Sequence, residues 1–170
     1  MVDRAVRENR VIYGVTTGFG ELKDRRIPQE QVRQLQINLL RSHAAGVGPP
    51  APRDIVRAML VLRAASLARG FSGCRPELVD ALCALIEADV TPVVPLQGSV
   101  GASGDLAPLA HLALALIGEG VAWLGDQRMP VRGACTVMMT PLRRSEHVRL
   151  TFHRACAEWG RWARDSRRSI

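Results

Sequence analysis

At 170 residues, 47% of them apolar, the chain is long enough to bury one core, and no uncharged apolar run approaches the roughly 18 residues of a membrane span. Met1-Val2-Asp3-Arg4 lacks the apolar centre of a signal peptide, so a cytoplasmic protein is expected. The net charge of +7 raises nucleic acid as a partner, but residues 1–130 nearly balance, with 14 basic against 13 acidic, while residues 131–170 carry 9 Arg against 3 acids. The basic character therefore belongs to a tail without a recognised nucleic-acid module, and nucleic acid is not expected as the partner.

Arg4 to Arg10 reads as the end of a charged helix. Val11 to Gly20 holds three glycines, two threonines and the only tyrosine, Tyr13, which breaks any helical period and marks a loop. Two readings of Tyr13 stand side by side: a functional loop residue, or core filling beside a turn.

A helix is expected from about Pro28, with Val32, Leu35, Leu39 and Leu40 at helical spacing. It ends in Ser42-His43-Ala44-Ala45-Gly46-Val47-Gly48-Pro49-Pro50, which places His43 where helix gives way to loop. An isolated histidine there is more often a capping or solvent-facing group than a functional one. A second helix from Pro52 to Arg69 is stopped by Gly70, and its Ile55, Val56, Met59, Leu60, Leu62 and Leu67 predict that it is largely buried. A third opens at Pro76 and carries Leu78, Val79, Leu82, Leu85 and Ile86. From Asp89 to Pro95 the prolines impose extended geometry.

Gly98-Ser99-Val100-Gly101-Ala102-Ser103-Gly104-Asp105 follows, with three glycines in seven residues. Its spacing fits neither the dinucleotide fingerprint nor the phosphate-binding loop. From Asp105 to Ile117 the chain is apolar all round except for Asp105 and His111, which predicts a helix enclosed by others. Asp105 is placed to meet the free amides of the first turn, and the positive end of the helix points at Ala102-Ser103-Gly104. A hairpin is expected around Gly125-Asp126.

Beyond Pro130 the period is lost, although Val148 to Trp162 could form a weak basic helix. Cys74, Cys83, Cys135 and Cys156 form no C-x-x-C and are expected as buried, reduced thiols. His153-x-x-Cys156 lacks the second ligand pair that a metal site needs, so no metal is expected.

Taken in order, Tyr-Gly-Val-Thr-Thr-Gly-Phe-Gly, Ser-His-Ala-Ala-Gly-Val-Gly and Gly-Ser-Val-Gly-Ala-Ser-Gly-Asp-Leu-Ala-Pro-Leu-Ala-His resemble the aromatic amino-acid ammonia-lyase family, over residues 1 to about 130. The resemblance implies a mainly α fold, the N-terminal part of the all-helical aspartase/fumarase-like architecture with glycine-rich active-site loops and a short hairpin. On it, residues 1–130 are a partial N-terminal domain. Residues 131–170 are expected to be a divergent, poorly ordered Arg-rich tail, as a frameshifted or truncated reading frame would give.

In that family an Ala-Ser-Gly tripeptide cyclises and loses water, so Ala102, Ser103 and Gly104 would form a methylidene-imidazolone, with no external cofactor. Ring closure joins the Gly104 nitrogen to the Ala102 carbonyl, a turn that a residue without a side chain makes easily. Tyr13 matches the family's catalytic tyrosine, a phenol that acts as a base only where its surroundings stabilise the phenolate. Gly20 and Asp105 would support the site. Ser42-His43 occupies the substrate-selecting pair and matches the histidine-specific members, whereas tyrosine lyases typically carry His-Leu and phenylalanine lyases Phe-Leu. The resemblance thus implies elimination of ammonia from L-histidine to give urocanate, by a homotetramer acting on a small amino acid. Two alternatives stay open: a truncated, inactive piece of that family, and a lyase or aminomutase acting on tyrosine or phenylalanine.

Overall fold

The computed structural model describes residues 4, 7, 8, 10–13, 16–18, 23 and 27–138, and the chain divides into two compact units, 1–39 and 40–170. Gly20, the expected helix over 148–162, the His153/Cys156 pair and the rest of the tail beyond 138 lie outside the described residues.

In the first unit, the Glu8 amide donates to the Arg4 carbonyl at 2.9 Å, a helical turn within the charged stretch. The loop that follows is tied by Thr16. Its hydroxyl donates to the Arg10 carbonyl (2.6 Å) and accepts from the Ile12 amide (2.9 Å), while its own amide reaches the Ile12 carbonyl. A short polar side chain that satisfies backbone groups in this way competes with helix and holds a turn. Pro28 then opens helix α1 (Gln29–His43), as its fixed φ allows.

The second unit carries the core. Helix α2 (Arg53–Ala68) lies against α3 (Pro76–Glu87), and α3 leads through Asp89 into strand β2 (Val90–Pro92). Asp89 takes φ +56°, unusual for a residue with a Cβ, and Arg57 of α2 holds it by donating to its carboxylate (2.8 Å) and to the Ile86 carbonyl (3.2 Å). Strand β1 (Val47–Pro50) pairs antiparallel with β3 (Pro95–Gln97). A second sheet has the order β2-β4-β5, where β4 is Val121–Leu124 and β5 is Gln127–Pro130. The prolines sit in edge strands, where a missing amide costs no ladder bond. Gly125-Asp126 forms the expected hairpin turn, fastened to the start of α2 by Arg53, which bonds the Gly125 carbonyl and the Asp126 carboxylate and stacks on Trp123 at 5.4 Å. Helix α4 (Leu106–Leu116) lies between the sheets, and α5 (Val131–Met138) follows β5, in the region where composition alone shows no sustained period.

Val56, Leu60, Leu82, Leu85, Val90, Leu112, Ala122 and Val131 form the buried centre. Each large member contributes about 1.5–3 kcal/mol through removal of its surface from water.

Three expectations need correction. Helix α2 is not largely buried: Val56, Leu60, Ala64 and Leu67 make one buried stripe, whereas Ile55, Val61 and Leu62 are exposed, Leu62 at 69%. A broad apolar face tells the period but not which part α3 and β2 cover. Helix α4 is enclosed by strands as much as by helices. It meets α3, β2 and β3, buries only Ala110, Leu112 and Ala115, and leaves Leu106 exposed. Cys83 is exposed and Cys74 half-buried, both reduced. Cys83 follows the fully buried Leu82 on α3, and a neighbour one residue on points about 100° away around a helix. The Cys135 side chain and all of Cys156 lie outside what is described.

Candidate functional site

The glycine-rich loop leaves β3 and ends at the N-terminus of α4. Gly101 and Gly104 take φ +91° and +69°, in the left-handed region that favours glycine. Residues 101–103 form a turn, with Ala102 and Ser103 exposed and Gly104 half-buried. The Ser99 hydroxyl donates to the Gly104 carbonyl at 2.7 Å, and a Cβ added at Gly104 would run into the same Ser99 Oγ. The backbone conformation therefore favours glycine at this position, and a side chain there would also force Ser99 to give up its bond to the Gly104 carbonyl.

The Ser103 hydroxyl donates to the Asp105 carboxylate at 2.5 Å. Asp105 is the N-cap of α4, but its carboxylate makes no capping bond to the helix amides, contrary to the capping role expected from sequence. The reason is competition: the adjacent hydroxyl takes the carboxylate as acceptor, and a charge-assisted bond of this kind is stronger than a neutral one. The first-turn amides of α4 are thus not capped by the Asp105 carboxylate.

Ser42 and His43 close α1. The Ser42 hydroxyl lies 3.2 Å from His43 Nδ1, with Ser42 exposed and His43 half-buried. Arg41, just before them, grips Glu119 with both of its arms (3.0 and 2.5 Å), and that carboxylate raises the Arg41 pKa. After them, the Gly46 amide donates to His111 Nε2 at 2.9 Å. A Cβ on Gly98 would stand 2.9 Å from the Gly46 α-carbon and 3.4 Å from Ala107 Cβ. The second unit thus brings the Ser42-His43 segment, the approach to the tripeptide and the first turns of α4 together at one crossing.

Tyr13 belongs to the first unit, on the loop held by Thr16. It is 62% exposed, which excludes the core-filling reading. Sequence reasoning noted His111 as an exception in an apolar helix but gave it no role, and it gave none to Ser99. The signal for His111 was available: one imidazole in an otherwise apolar helix needs a partner if it is buried. Among the described residues, no group of three or more His, Cys, Asp or Glu side chains could hold a metal, and no helix is long and apolar enough to cross a membrane.

The profile of the Aromatic amino acid lyase family matches residues 1–144. A histidine ammonia-lyase from Geobacillus thermodenitrificans is 57% identical over 129 residues, covering 76% of this chain and 26% of that protein. The crystal structure of histidine ammonia-lyase from Trypanosoma cruzi superposes with a TM-score of 0.71 at 34% identity, over 89% of this chain and 29% of that one. Tyrosine aminomutase from Streptomyces globisporus gives a TM-score of 0.73 at 35% identity, over 88% and 28%. The chain spans about a quarter of the length of the curated relatives it matches.

Proposed function

Because this chain belongs to the aromatic amino acid lyase family, a family of carbon–nitrogen lyases, we propose that it carries the electrophile and the substrate-selecting pair of an enzyme that eliminates ammonia from L-histidine. In that reaction the bond from Cα to nitrogen breaks, a proton leaves the β-carbon, and the new double bond gives urocanate. The observation that carries the reading is the tripeptide at the start of α4, in a stretch that is 57% identical to a histidine ammonia-lyase.

The residues present fit a methylidene-imidazolone. Gly104 already holds the left-handed turn that favours glycine, and its carbonyl is pinned by Ser99. Such a group, once formed from Ala102, Ser103 and Gly104, supplies an electrophilic carbon that makes an amino group a viable leaving group. Asp105 accepts from the Ser103 hydroxyl and so fixes the orientation of the group that must gain a proton and leave as water. The amides at the start of α4 stabilise negative charge that develops beside the tripeptide. Ser42 and His43 offer polar partners to an imidazole side chain. Tyr13 is the base for the β-carbon proton, and Gly20 and Asp105 support the site. The same reading implies a cytoplasmic homotetramer.

A second reading, an aminomutase or lyase acting on tyrosine or phenylalanine, has support in the likeness to tyrosine aminomutase, as high as that to the trypanosome enzyme. Incubating the purified protein with L-histidine, L-tyrosine and L-phenylalanine separates the two. Urocanate as the dominant product is expected. Coumarate or a β-amino acid in its place would support the second reading and contradict the first.

A further inference from the structure

We infer that His111 is a positioning residue, which fixes the Ser42-His43 segment in register with the Ala102-Ser103-Gly104 turn through the hydrogen bond it accepts from Gly46. The substrate-facing half of this inference rests on the reading above; the positional half stands on geometry alone.

His111 sits on α4, the helix that begins at the tripeptide, and its ring reaches the loop that leaves α1. Three backbones converge there at distances that only small residues permit. A Cβ on Gly46 would meet His111 Nε2 at 3.0 Å and the Gln97 carbonyl at 3.3 Å, while one on Gly98 would meet the Gly46 α-carbon at 2.9 Å. Gly46 and Gly98 have no side chains to set the spacing at the crossing, and the pairing of β1 with β3 begins only at Val47. The directional bond to His111 supplies a contact that sets the loop's position along the helix. A Leu at position 111 would match its apolar neighbours but remove the acceptor of the half-buried Gly46 amide.

The protonation state suits the role. As Nε2 accepts, the proton of the neutral ring lies on Nδ1, and burial pushes the imidazole pKa below its ordinary value, which preserves the accepting lone pair at neutral pH. Arg41 and Glu119 anchor the other side of the pair, since Glu119 lies just past the end of α4. Ser42 to Ala45 are therefore bracketed by two attachments to one helix and its exit. The exposed ion pair adds little stability, but its two-armed geometry fixes direction. A single hydrogen bond contributes little net stability to folding. Its larger consequence is positional, because a misplacement of about 1 Å at a reacting site can cost about a hundredfold in rate.

The test compares the full chain with H111L and H111Q, the latter retaining an acceptor. Amide hydrogen exchange is read at Gly46 relative to the core amides of Leu60 and Val90, and L-histidine binding is read by calorimetry. H111L should speed Gly46 exchange about tenfold beyond any change in the core amides, while H111Q should stay within about threefold of the parent. L-Histidine affinity should fall in H111L and recover in H111Q, with the mass of the tripeptide region unchanged. Unaltered relative exchange at Gly46 in H111L, or equal loss in both variants, overturns the positioning role. A parent protein that binds no L-histidine overturns the substrate reading instead, and the Gly46 response still decides the positional claim.

Discussion

The backbones of Gly46 and Gly98 pass so close that a Cβ built on Gly98 would stand 2.9 Å from the Gly46 α-carbon. Neither side of that contact is the end of a flexible side chain that can swing away. Gly98→Ala should therefore destabilise the second unit by about 1–3 kcal/mol, the usual cost of overpacking, read as a lower denaturant midpoint. Gly70→Ala is the control for backbone strain without crowding: Gly70 takes φ +80° and a Cβ there meets nothing within 4 Å.

Burial lowers the His111 pKa from the ordinary 6.5, which sets the sign of its pH dependence. The unfolded ring takes up its proton at the higher pH. Stability linked to His111 is thus complete above the unfolded value and is lost as pH falls from there through the lower folded value. Urea unfolding measured across this window should show a slope that H111Q flattens. An equal slope in both proteins would place its origin in other groups.

Tyr13→Phe removes only a hydroxyl from an exposed side chain, so stability should change by less than about 0.5 kcal/mol. If the phenol is the base, turnover should fall by about 10²–10⁴-fold. Parallel kinetics and thermal melts check both. Wild-type turnover in the variant would remove Tyr13 from the mechanism.

Gly104→Ala places a Cβ against Ser99 Oγ at a backbone φ of +69°. It should block formation of the methylidene-imidazolone. A double variant that also carries Ser99→Ala relieves the crowding but not the backbone strain, so it should recover at most part of the modification, as peptide mass mapping would record.

These positions differ in how far the sequence disclosed them. Pro28, Pro52 and Pro76 before or at the helix starts, Gly70 after α2 and Gly125-Asp126 in the hairpin act within a few residues, so local chemistry places them. The motif around Ala102-Ser103-Gly104 showed by itself only a glycine-rich turn before a helix, and its chemical reading comes from the family resemblance. The crossing of Gly46, Gly98 and His111 was not legible, since it joins segments distant in sequence by pairing β1 with β3, two short strands rich in proline. The same limit explains Leu62 and Cys83. A helical period gives their angle around the axis, whereas the cover on each face comes from other elements. Asp105 shows a further limit, as its carboxylate met a nearer hydroxyl donor before the helix amides.

Peptide-resolved mass analysis of the purified, folded protein tests the central claim most directly, because the proposed chemistry begins with a change in the chain itself. A loss of two waters confined to Ala102-Ser103-Gly104, and absent from Ser103→Ala, is the result predicted. An unmodified tripeptide in folded protein that nevertheless releases urocanate from L-histidine would contradict the account.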